Sequence, residues 1–216
     1  MRQDRATIVP PGSASVSAAL ERVVAPLLTE LRSQPFVRRI LEGRVTKEQY
    51  AGLLQSLLTL QRSLARAVTD ARHLNGFDGP AFRREEALAR DLRVLRSHLP
   101  VRGSESLDQF ESEVRAWSRP PSVALVGALF AVELERKHWL KLVRPLADAL
   151  QLRVAPHHGL DYHLEGADRA SRRVRGLADW IDRNVLSSER RQELVDGASG
   201  TLRALIALHR TAESTK

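Results

Sequence analysis

The chain has 216 residues, of which 43% are hydrophobic, and it carries a formal net charge of +8 with no cysteine. The lack of cysteine excludes disulfides, thiolate catalysis and cysteine-bound iron–sulfur clusters, so any metal site must use His, Asp and Glu. No apolar run approaches the length of a membrane span, and residues 1–12 lack the apolar stretch of a secretory signal. We therefore expect a cytoplasmic protein without membrane attachment. The basic residues are nearly all Arg and are spread along the chain, which argues against a nucleic-acid-binding face.

Apolar residues at helical spacing, together with capping signals and the lack of alternating strands, predict an all-α protein of about seven or eight helices. Residues 1–12 are predicted to form a disordered leader, and residues 13–212 a single compact helical domain. In chain order the predicted helices are 13–33 with a kink at Pro26, 36–41, 47–74 behind a capping box from Thr46 to Gln49, 81–97 after a turn at 76–79, 106–117 behind a second capping box at Ser106, 121–150 with a kink at Pro145, 160–184 and 187–212.

The most apolar part of the chain is the predicted helix 121–150. Residues 123–132 are apolar on every side of this helix, which indicates that protein surrounds it. Glu133 follows directly and shares a helix face with core residues, where a carboxylate is costly unless it is paired, protonated or bound to a ligand. A pair with Arg136 or Lys137, a ligand or cofactor contact, and a partly exposed unpaired acid all remain open at this point.

Two further polar residues fall on predicted core stripes. His163 shares a face with apolar residues of the helix 160–184, either as a hydrogen-bonded core residue or as a ligand. Glu85 lies near the apolar stripe of the helix 81–97, where a favourable acid in the first turns of a helix is the alternative. Glu85, Glu133 and His163 thus come from three helices. Two carboxylates and one His suit a metal ion with open positions, and iron is the candidate.

Other polar clusters have simpler interpretations. Arg169, Arg172 and Arg173 share one side of a helix, either as a solvated face or as a cofactor-binding patch for carboxylates or phosphates. No Gly-rich phosphate loop follows a strand and no Ser sits in a nucleophile elbow, so nucleotide-binding and hydrolase functions lack support. Two further groups have metal-compatible residues. Glu135 and His138 are expected to lie at the surface, and in the loop cluster of His157, His158 and Asp161 the histidines are expected to be exposed to solvent.

Residues 33–50, SQPFVRRILEGRVTKEQY, combine a short predicted helix, a Gly and a capping signal that lead into a long helix. This segment resembles the opening of the haem-oxygenase-like superfamily, in which the short helix follows HPF. Residues 89–95, ARDLRVL, and 127–133, GALFAVE, are similar to the end of a later helix and to the central helix. The superfamily includes haem oxygenases, thiaminase-like and quinone-cofactor enzymes, and non-haem iron oxidases. The resemblance covers about residues 16–185 and implies a compact helical domain with a ligand between its helices.

The resemblance does not favour ordinary haem oxygenase chemistry. Haem oxygenases hold the iron through a His in the first helix, whereas the first His of this chain is His73. Glycines follow the central acid in that family, where this chain has Leu134 and Glu135. Iron is therefore favoured over haem as the cofactor implied by the resemblance.

The non-haem iron oxidases of the superfamily bind iron through an earlier acid and His, a central Glu and a late H-x3-D-x2-H motif. Glu133 matches the central Glu, and His163 matches the first His of the late motif. Ala167 and Ala170 stand at the other two late positions, and Arg84 stands near the place of the earlier His. The resemblance thus implies a metal site in which most ligands have been replaced.

Three functions follow from these observations. The first is a haem-oxygenase-like domain that binds a small ligand or a metal in its helical core, as an iron-dependent oxidoreductase with Glu133 and His163 facing the same site. The second is a non-catalytic relative that serves as a binding or interaction module. The third is tetrapyrrole binding without a proximal His, with Arg169, Arg172 and Arg173 as partners of the propionates. The expected partner is a small molecule, while catalysis and a homodimer are left open.

Overall fold

The computed structural model describes residues 15–74, 82–95 and 105–213, and in these ranges the regular structure is helical without strands. The predicted leader, 1–12, and the predicted turn, 76–79, lie outside them. Nine helices and one single helical turn, α8, occur in the described ranges, so the all-α class is confirmed and the predicted seven or eight helices are too few. None of these helices is long and apolar enough to cross a membrane. In chain order they are α1 (Val16–Arg32), α2 (Pro35–Leu41), α3 (Lys47–Asp70), α4 (Glu85–Val94), α5 (Glu105–Trp117), α6 (Ala124–Trp139), α7 (Val143–Leu150), α8 (Asp161–Leu164), α9 (Ala170–Asn184) and α10 (Ser188–Glu213).

Two helices that the sequence predicts as continuous are divided in the structure. The predicted helix 121–150 becomes α6 and α7, which are separated by a short break. Pro145 occupies the third position of α7, where a backbone N–H would lack a helical partner in any case, so the helix restarts just before the proline. The predicted helix 160–184 is divided at Gly166, which adopts a left-handed φ of 66° between α8 and α9.

Three helix starts differ in how well the predicted capping signals match the structure. The first predicted capping box is confirmed, because the N–H of Gln49 donates to Thr46 Oγ1 and the N–H of Thr46 donates to Gln49 Oε1, each at 3.2 Å. The second predicted box is wrong, since α5 begins at Glu105 and Ser106 lies within its first turn. Helix α4 begins at Glu85, later than predicted, and this side chain accepts the backbone N–H of the preceding residue at 2.9 Å.

Helix α6 lies at the centre of the hydrophobic core. Every residue from Ala124 to Glu133 is buried, as the apolar pattern predicts. Helix α10 lies along α6 and also contacts α1, α2, α3 and α5. The two helices approach closely at two glycines: a Cβ atom added at Gly127 would lie 2.1 Å from the carbonyl oxygen of Leu194, and one at Gly197 would lie 1.9 Å from that of Ala124. The central pair of helices is therefore in backbone contact.

Candidate functional site

The buried carboxylate predicted on α6 is paired with two arginines. Glu133 is 1% exposed, and the Nε atom of Arg173 on α9 donates to its Oε2 atom at 2.9 Å. The Nη1 atom of Arg136, one turn further along α6, lies 3.6 Å from Oε1. The predicted pair with Arg136 is therefore present. The second partner comes from a helix that sequence spacing did not connect to Glu133.

The same two arginines hold the turn between α8 and α9. Arg136 donates from Nε to the carbonyl oxygen of Tyr162 at 3.3 Å and from Nη2 to the carbonyl oxygen of Glu165. Arg173 donates from Nη2 to the carbonyl oxygen of Gly166 at 3.0 Å. Backbone acceptors thus fix both guanidinium groups, and the fold determines their orientation.

A third arginine completes a buried group of positive charges. Arg84, directly before α4, is 9% exposed. Burial and the charges of Arg136 and Arg173 lower its pKa to about 10, against the opposing effect of Glu133 and Glu165. The Nε atom of Arg84 and the Nη1 atom of Arg136 are buried and have no hydrogen-bond acceptor within the part of the chain that the structure describes. We call Arg84, Arg136 and Arg173 the arginine cluster.

His163 lies in an aromatic environment. The fully buried ring stacks on Trp139, with ring centroids 4.5 Å apart, and meets the edge of Tyr162 at 5.0 Å. Neither ring nitrogen has a hydrogen-bond partner among the described residues. Burial first, and then the charges of Arg136 and His209, lower the pKa of His163 to about 3, so the ring is neutral at physiological pH. His163 is therefore buried in the core, as its position on the apolar stripe predicts, but without the hydrogen bonds expected of a core histidine within the described residues.

A cavity of about 20 Å³ lies beside this aromatic group. Its wall combines apolar side chains with the polar side chains of Gln61, Glu135, Arg136, Tyr162 and His209. A cavity of this size holds about one water molecule, whereas small-molecule sites occupy about 300 to 1,000 Å³. Side chains therefore fill the core at the level of this cavity.

Glu135 is buried, so its predicted place at the surface is wrong. The side chain lines the cavity just described, and only 4% of the residue is exposed. Burial raises the pKa of Glu135 to about 7, although Arg32, with Nε 3.5 Å from Oε2, acts in the opposite direction. The physical reason is that the buried part of α6 extends beyond Glu133 to Arg136, so Glu135 is covered although the exposed Lys137 follows it two positions later.

The remaining predicted site residues do not join one site. Glu85 is half-buried, and its Oε2 atom accepts the backbone N–H of Arg84 at 2.9 Å, which is the role of an acid in the first turn. Arg169 and Arg172 are exposed, and Arg169 pairs with the neighbouring aspartate at 3.6 Å. Only Arg173 points inward, because a 3-10 turn precedes α9 and takes Arg169 out of the helical spacing. The three predicted arginines therefore do not form a common patch.

The predicted loop cluster is partly buried and supports α8. His157 is exposed, as predicted for the loop histidines. Asp161 is buried and accepts the backbone N–H of His157 at 2.7 Å and Nε–H of Arg90 at 2.9 Å. Asp91 of α4 is fully buried and accepts the backbone N–H groups of Asp161 at 2.7 Å and Tyr162 at 2.8 Å. Burial raises the pKa of Asp91 to about 6, although these backbone hydrogen bonds oppose the shift. Asp91 thus caps α8 from another helix.

Three residues of this region have no role in the sequence interpretation. His209 could have been found, because it follows Ile206 by three and Leu205 by four positions on the apolar face of α10. Trp139 also follows helical spacing, yet an aromatic residue on a core helix gives no indication that it stacks on an imidazole. Asp91 lies in the segment 89–95, which resembles the superfamily. Its neighbours in the sequence do not indicate that it accepts a hydrogen bond from the backbone of α8, about 70 positions away.

Groups of three or more His, Asp or Glu side chains that could hold a metal ion are absent from the described ranges. The assignment of Glu85, Glu133 and His163 to a metal site therefore stays a prediction. The surroundings do not fit it, since both oxygens of Glu133 face guanidinium groups. A cation bound there would meet the positive charge of the arginine cluster.

The first helix does not fit His-ligated haem. Its buried residues are Ser17 and four aliphatic ones, Leu20, Val24, Leu28 and Leu31. None of these side chains can ligate iron in the way that the imidazole of the haem oxygenases does. Haem bound to this chain would therefore lack the ligand that the resemblance implies.

The fold is that of haem oxygenases and their structural relatives. Haem oxygenase-1 from the cyanobacterium Synechocystis, solved in complex with haem, is similar over 93% of this chain and 93% of its own, with a TM-score of 0.78 and 16% identity. The haem oxygenase of Leptospira interrogans matches over 92% and 100%, with a TM-score of 0.78 and 15% identity. A TenA homologue from P. horikoshii matches over 94% and 100%, with a TM-score of 0.71 and 12% identity. Among curated proteins, no sequence matches this chain.

The chain belongs to the haem oxygenase family, whose family model, described as Heme oxygenase, matches residues 16–134. The superfamily resemblance drawn from the sequence is thereby confirmed. The matched part includes Glu133 and ends before Arg136. Arg173, His163 and α10 lie beyond it, so the partners of the central acid come from the part of the chain that the family model does not match.

The buried histidines should make the fold sensitive to acid. Burial lowers the pKa of His163 and of His209 to about 3, while an unfolded His titrates near 6.5. Because the folded state favours the neutral rings, this contribution to stability is present above about pH 6.5 and is lost as the pH falls towards 3. In His209→Phe, one of the two groups is removed. The variant should therefore gain stability relative to the wild type by about 1.4 kcal/mol per pH unit below about pH 6.

Urea unfolding of both proteins between pH 4 and pH 8 measures this difference. Asp91 and Glu135, whose raised pKa values act in the opposite direction, are present in both proteins and cancel in the comparison. Above pH 7 the difference should be constant and should report only the change in packing. A difference that stays constant down to pH 4 would show that His209 is accessible to protons in the folded state.

Proposed function

We propose that this protein is a binding domain of the haem oxygenase family that holds a small ligand in its helical domain and does not use iron or haem. The observation that supports this proposal is the pairing of Glu133 with Arg173 and Arg136. A carboxylate neutralised by two guanidinium groups is a poor metal ligand and a poor general base. Guanidinium groups that the backbone holds in place are, in contrast, typical of ligand recognition.

A non-haem iron oxidoreductase is the second candidate, and one observation favours it. His163 is buried, and its two ring nitrogens have no partner among the described residues. Neutral imidazole in this state is the form that binds a metal. Iron would nevertheless require Glu133 to leave both arginines, so this candidate ranks below the binding domain. Tetrapyrrole binding ranks third. It requires Arg169, Arg172 and Arg173 to bind the propionates together, but Arg169 and Arg172 are exposed whereas Arg173 points inward.

Metal and haem analysis tests the proposal. Protein purified from cells grown with iron should contain far less iron than one equivalent per chain. Titration with haemin should give no sharp Soret band of a His-ligated complex, and no biliverdin should form when a reductant is added. Native mass spectrometry of the same preparation should show a small molecule that is released on unfolding.

A matched pair of variants separates the two leading candidates. If iron is found at stoichiometric amounts, His163→Ala should remove it while His158→Ala, in the loop before α8, should retain it. That result would replace the binding domain with the oxidoreductase. Iron that remains in both variants would exclude His163 as its ligand.

A further inference from the structure

We propose that the arginine cluster binds an oxyanion, the carboxylate or phosphate group of the small ligand. This inference rests on the proposed function and specifies the chemistry of the ligand. It concerns Arg84, Arg136 and Arg173, which come from the start of α4, from α6 and from α9. Only tertiary structure brings these side chains together, and they differ from the arginines that the sequence pattern grouped.

The arginine cluster carries more positive charge than the described acids around it neutralise. Arg136 and Arg173 contact one buried carboxylate, Glu133, and the buried Arg84 is close enough for the charges of all three residues to act on it. Among the described residues this group therefore has more positive than negative charge. The next acid that acts on the cluster is Glu165, but its Oε2 atom already accepts a hydrogen bond from Nη2 of Arg90. Buried charges of one sign are costly without a counter-charge. An anion from outside the described residues would reduce this cost.

Two nitrogen atoms of the arginine cluster make no hydrogen bond with the described residues. The Nε atom of Arg84 is buried and has no acceptor within the described ranges, while the buried Nη1 atom of Arg136 makes no hydrogen bond there and has only the ion-pair contact with Glu133 Oε1 at 3.6 Å. Buried donors of this kind are rare and need an explanation. The remaining donors of Arg136 are directed at backbone carbonyls, so the side chain cannot turn to find another acceptor without losing those hydrogen bonds.

The guanidinium groups of the arginine cluster have the geometry that suits an oxyanion. Arginine presents several N–H groups in a rigid plane, which matches the paired oxygens of a carboxylate or a phosphate. The closest pair in the cluster already has this form, with Arg173 Nε donating to a Glu133 oxygen at 2.9 Å. A second oxyanion would complete the same type of contact at Arg84 and Arg136.

The test measures thermal unfolding of exhaustively dialysed protein at pH 7.5 and constant ionic strength. Inorganic phosphate and succinate serve as the phosphate and carboxylate probes, and sodium chloride is the reference. A saturable rise in Tm of roughly 5 to 10 °C at one hundred times the Kd is expected for at least one probe. The probe that gives the larger rise identifies the chemical group. No rise with either probe would overturn the proposal.

Variants locate the effect. Arg84→Gln should weaken binding of the effective probe by roughly tenfold or more, since one charged donor is lost. Arg172→Gln removes an exposed arginine on the same helix as Arg173 and should leave the Kd unchanged. An equal loss in both variants, or in neither, would place the anion elsewhere on this basic protein and would contradict the proposal.

Glu133→Gln gives a result of opposite sign. Removing the carboxylate that competes for the arginines should tighten probe binding by roughly tenfold. If this variant does not fold in chloride, refolding in the presence of the probe should recover it, and failure of that recovery counts against the proposal.

Asp78 lies outside the described residues, and Asp78→Asn tests whether the chain supplies the anion itself. If phosphate or succinate raises the Tm of Asp78→Asn but not of the wild type, the chain itself supplies the anion, and the proposal of an external ligand is wrong.

The outcomes distinguish this inference from the proposed function. A preparation that contains stoichiometric iron ends the proposed function whatever the anion measurements show. A metal-free preparation with a bound small molecule and no response to phosphate or succinate ends only the oxyanion assignment.

Discussion

Gly127→Ala should destabilise the protein by more than about 4 kcal/mol or prevent it from folding. The added Cβ atom would lie 2.1 Å from the carbonyl oxygen of Leu194, and that atom belongs to the backbone of α10. Backbone cannot rotate away as a flexible side chain can, so α6 and α10 would have to separate. Gly197→Ala meets the same obstacle from the opposite helix, with a separation of 1.9 Å from the carbonyl oxygen of Ala124.

Gly176→Ala is the matched control for this prediction. Gly176 also lies within a helix, α9, but a Cβ atom placed there has no atom within 4 Å from the rest of the described chain, outside its own helical turn. Replacing a helical glycine with alanine should then increase stability by about 0.5 to 1 kcal/mol. Urea unfolding monitored by tryptophan fluorescence measures all three variants. A Gly127→Ala protein as stable as the wild type would show that α6 and α10 are not in backbone contact.

Asp91→Ala should cost about 2 to 4 kcal/mol of unfolding free energy. The carboxylate accepts the backbone N–H groups of Asp161 and Tyr162 with one oxygen each, at 2.7 and 2.8 Å. Alanine would leave both N–H groups at the start of α8 buried and without an acceptor. Asp91→Asn should have a smaller effect, because its amide oxygen can still accept one of the two bonds while its NH2 group faces the other donor.

The control is Asp148→Ala on α7. Asp148 is an exposed acid that pairs with Arg144 across one turn, and its removal should change stability by no more than about 0.5 kcal/mol. Equilibrium unfolding in urea at pH 7 compares the three variants with the wild type. Equal stability of Asp91→Ala and Asp148→Ala would contradict the capping role of Asp91.

The sequence by itself determined those features that depend on neighbouring residues. The apolar run 123–132 is buried on every side, and the Thr46–Gln49 capping box forms both of its hydrogen bonds. The inward orientation of Glu133 also follows from helical spacing, because the position of a side chain on a helix is fixed by the residues three and four places away. His163 is buried as predicted, although the helix 160–184 on which that prediction rested is divided at Gly166. The resemblance of residues 127–133 to a central helix indicated the family that the comparisons then established.

Only the tertiary structure decided which side chains meet. Arg173 reaches Glu133 across 40 positions of the chain, and Asp91 reaches the start of α8 across about 70. Sequence spacing cannot reveal such pairs, because periodicity reports the face of a helix and not the helix that lies opposite. The arrangement of three arginines around one acid therefore depends on how α4, α6 and α9 pack. The same packing buries Glu135, which the neighbouring charges place at the surface, and it also buries Asp161.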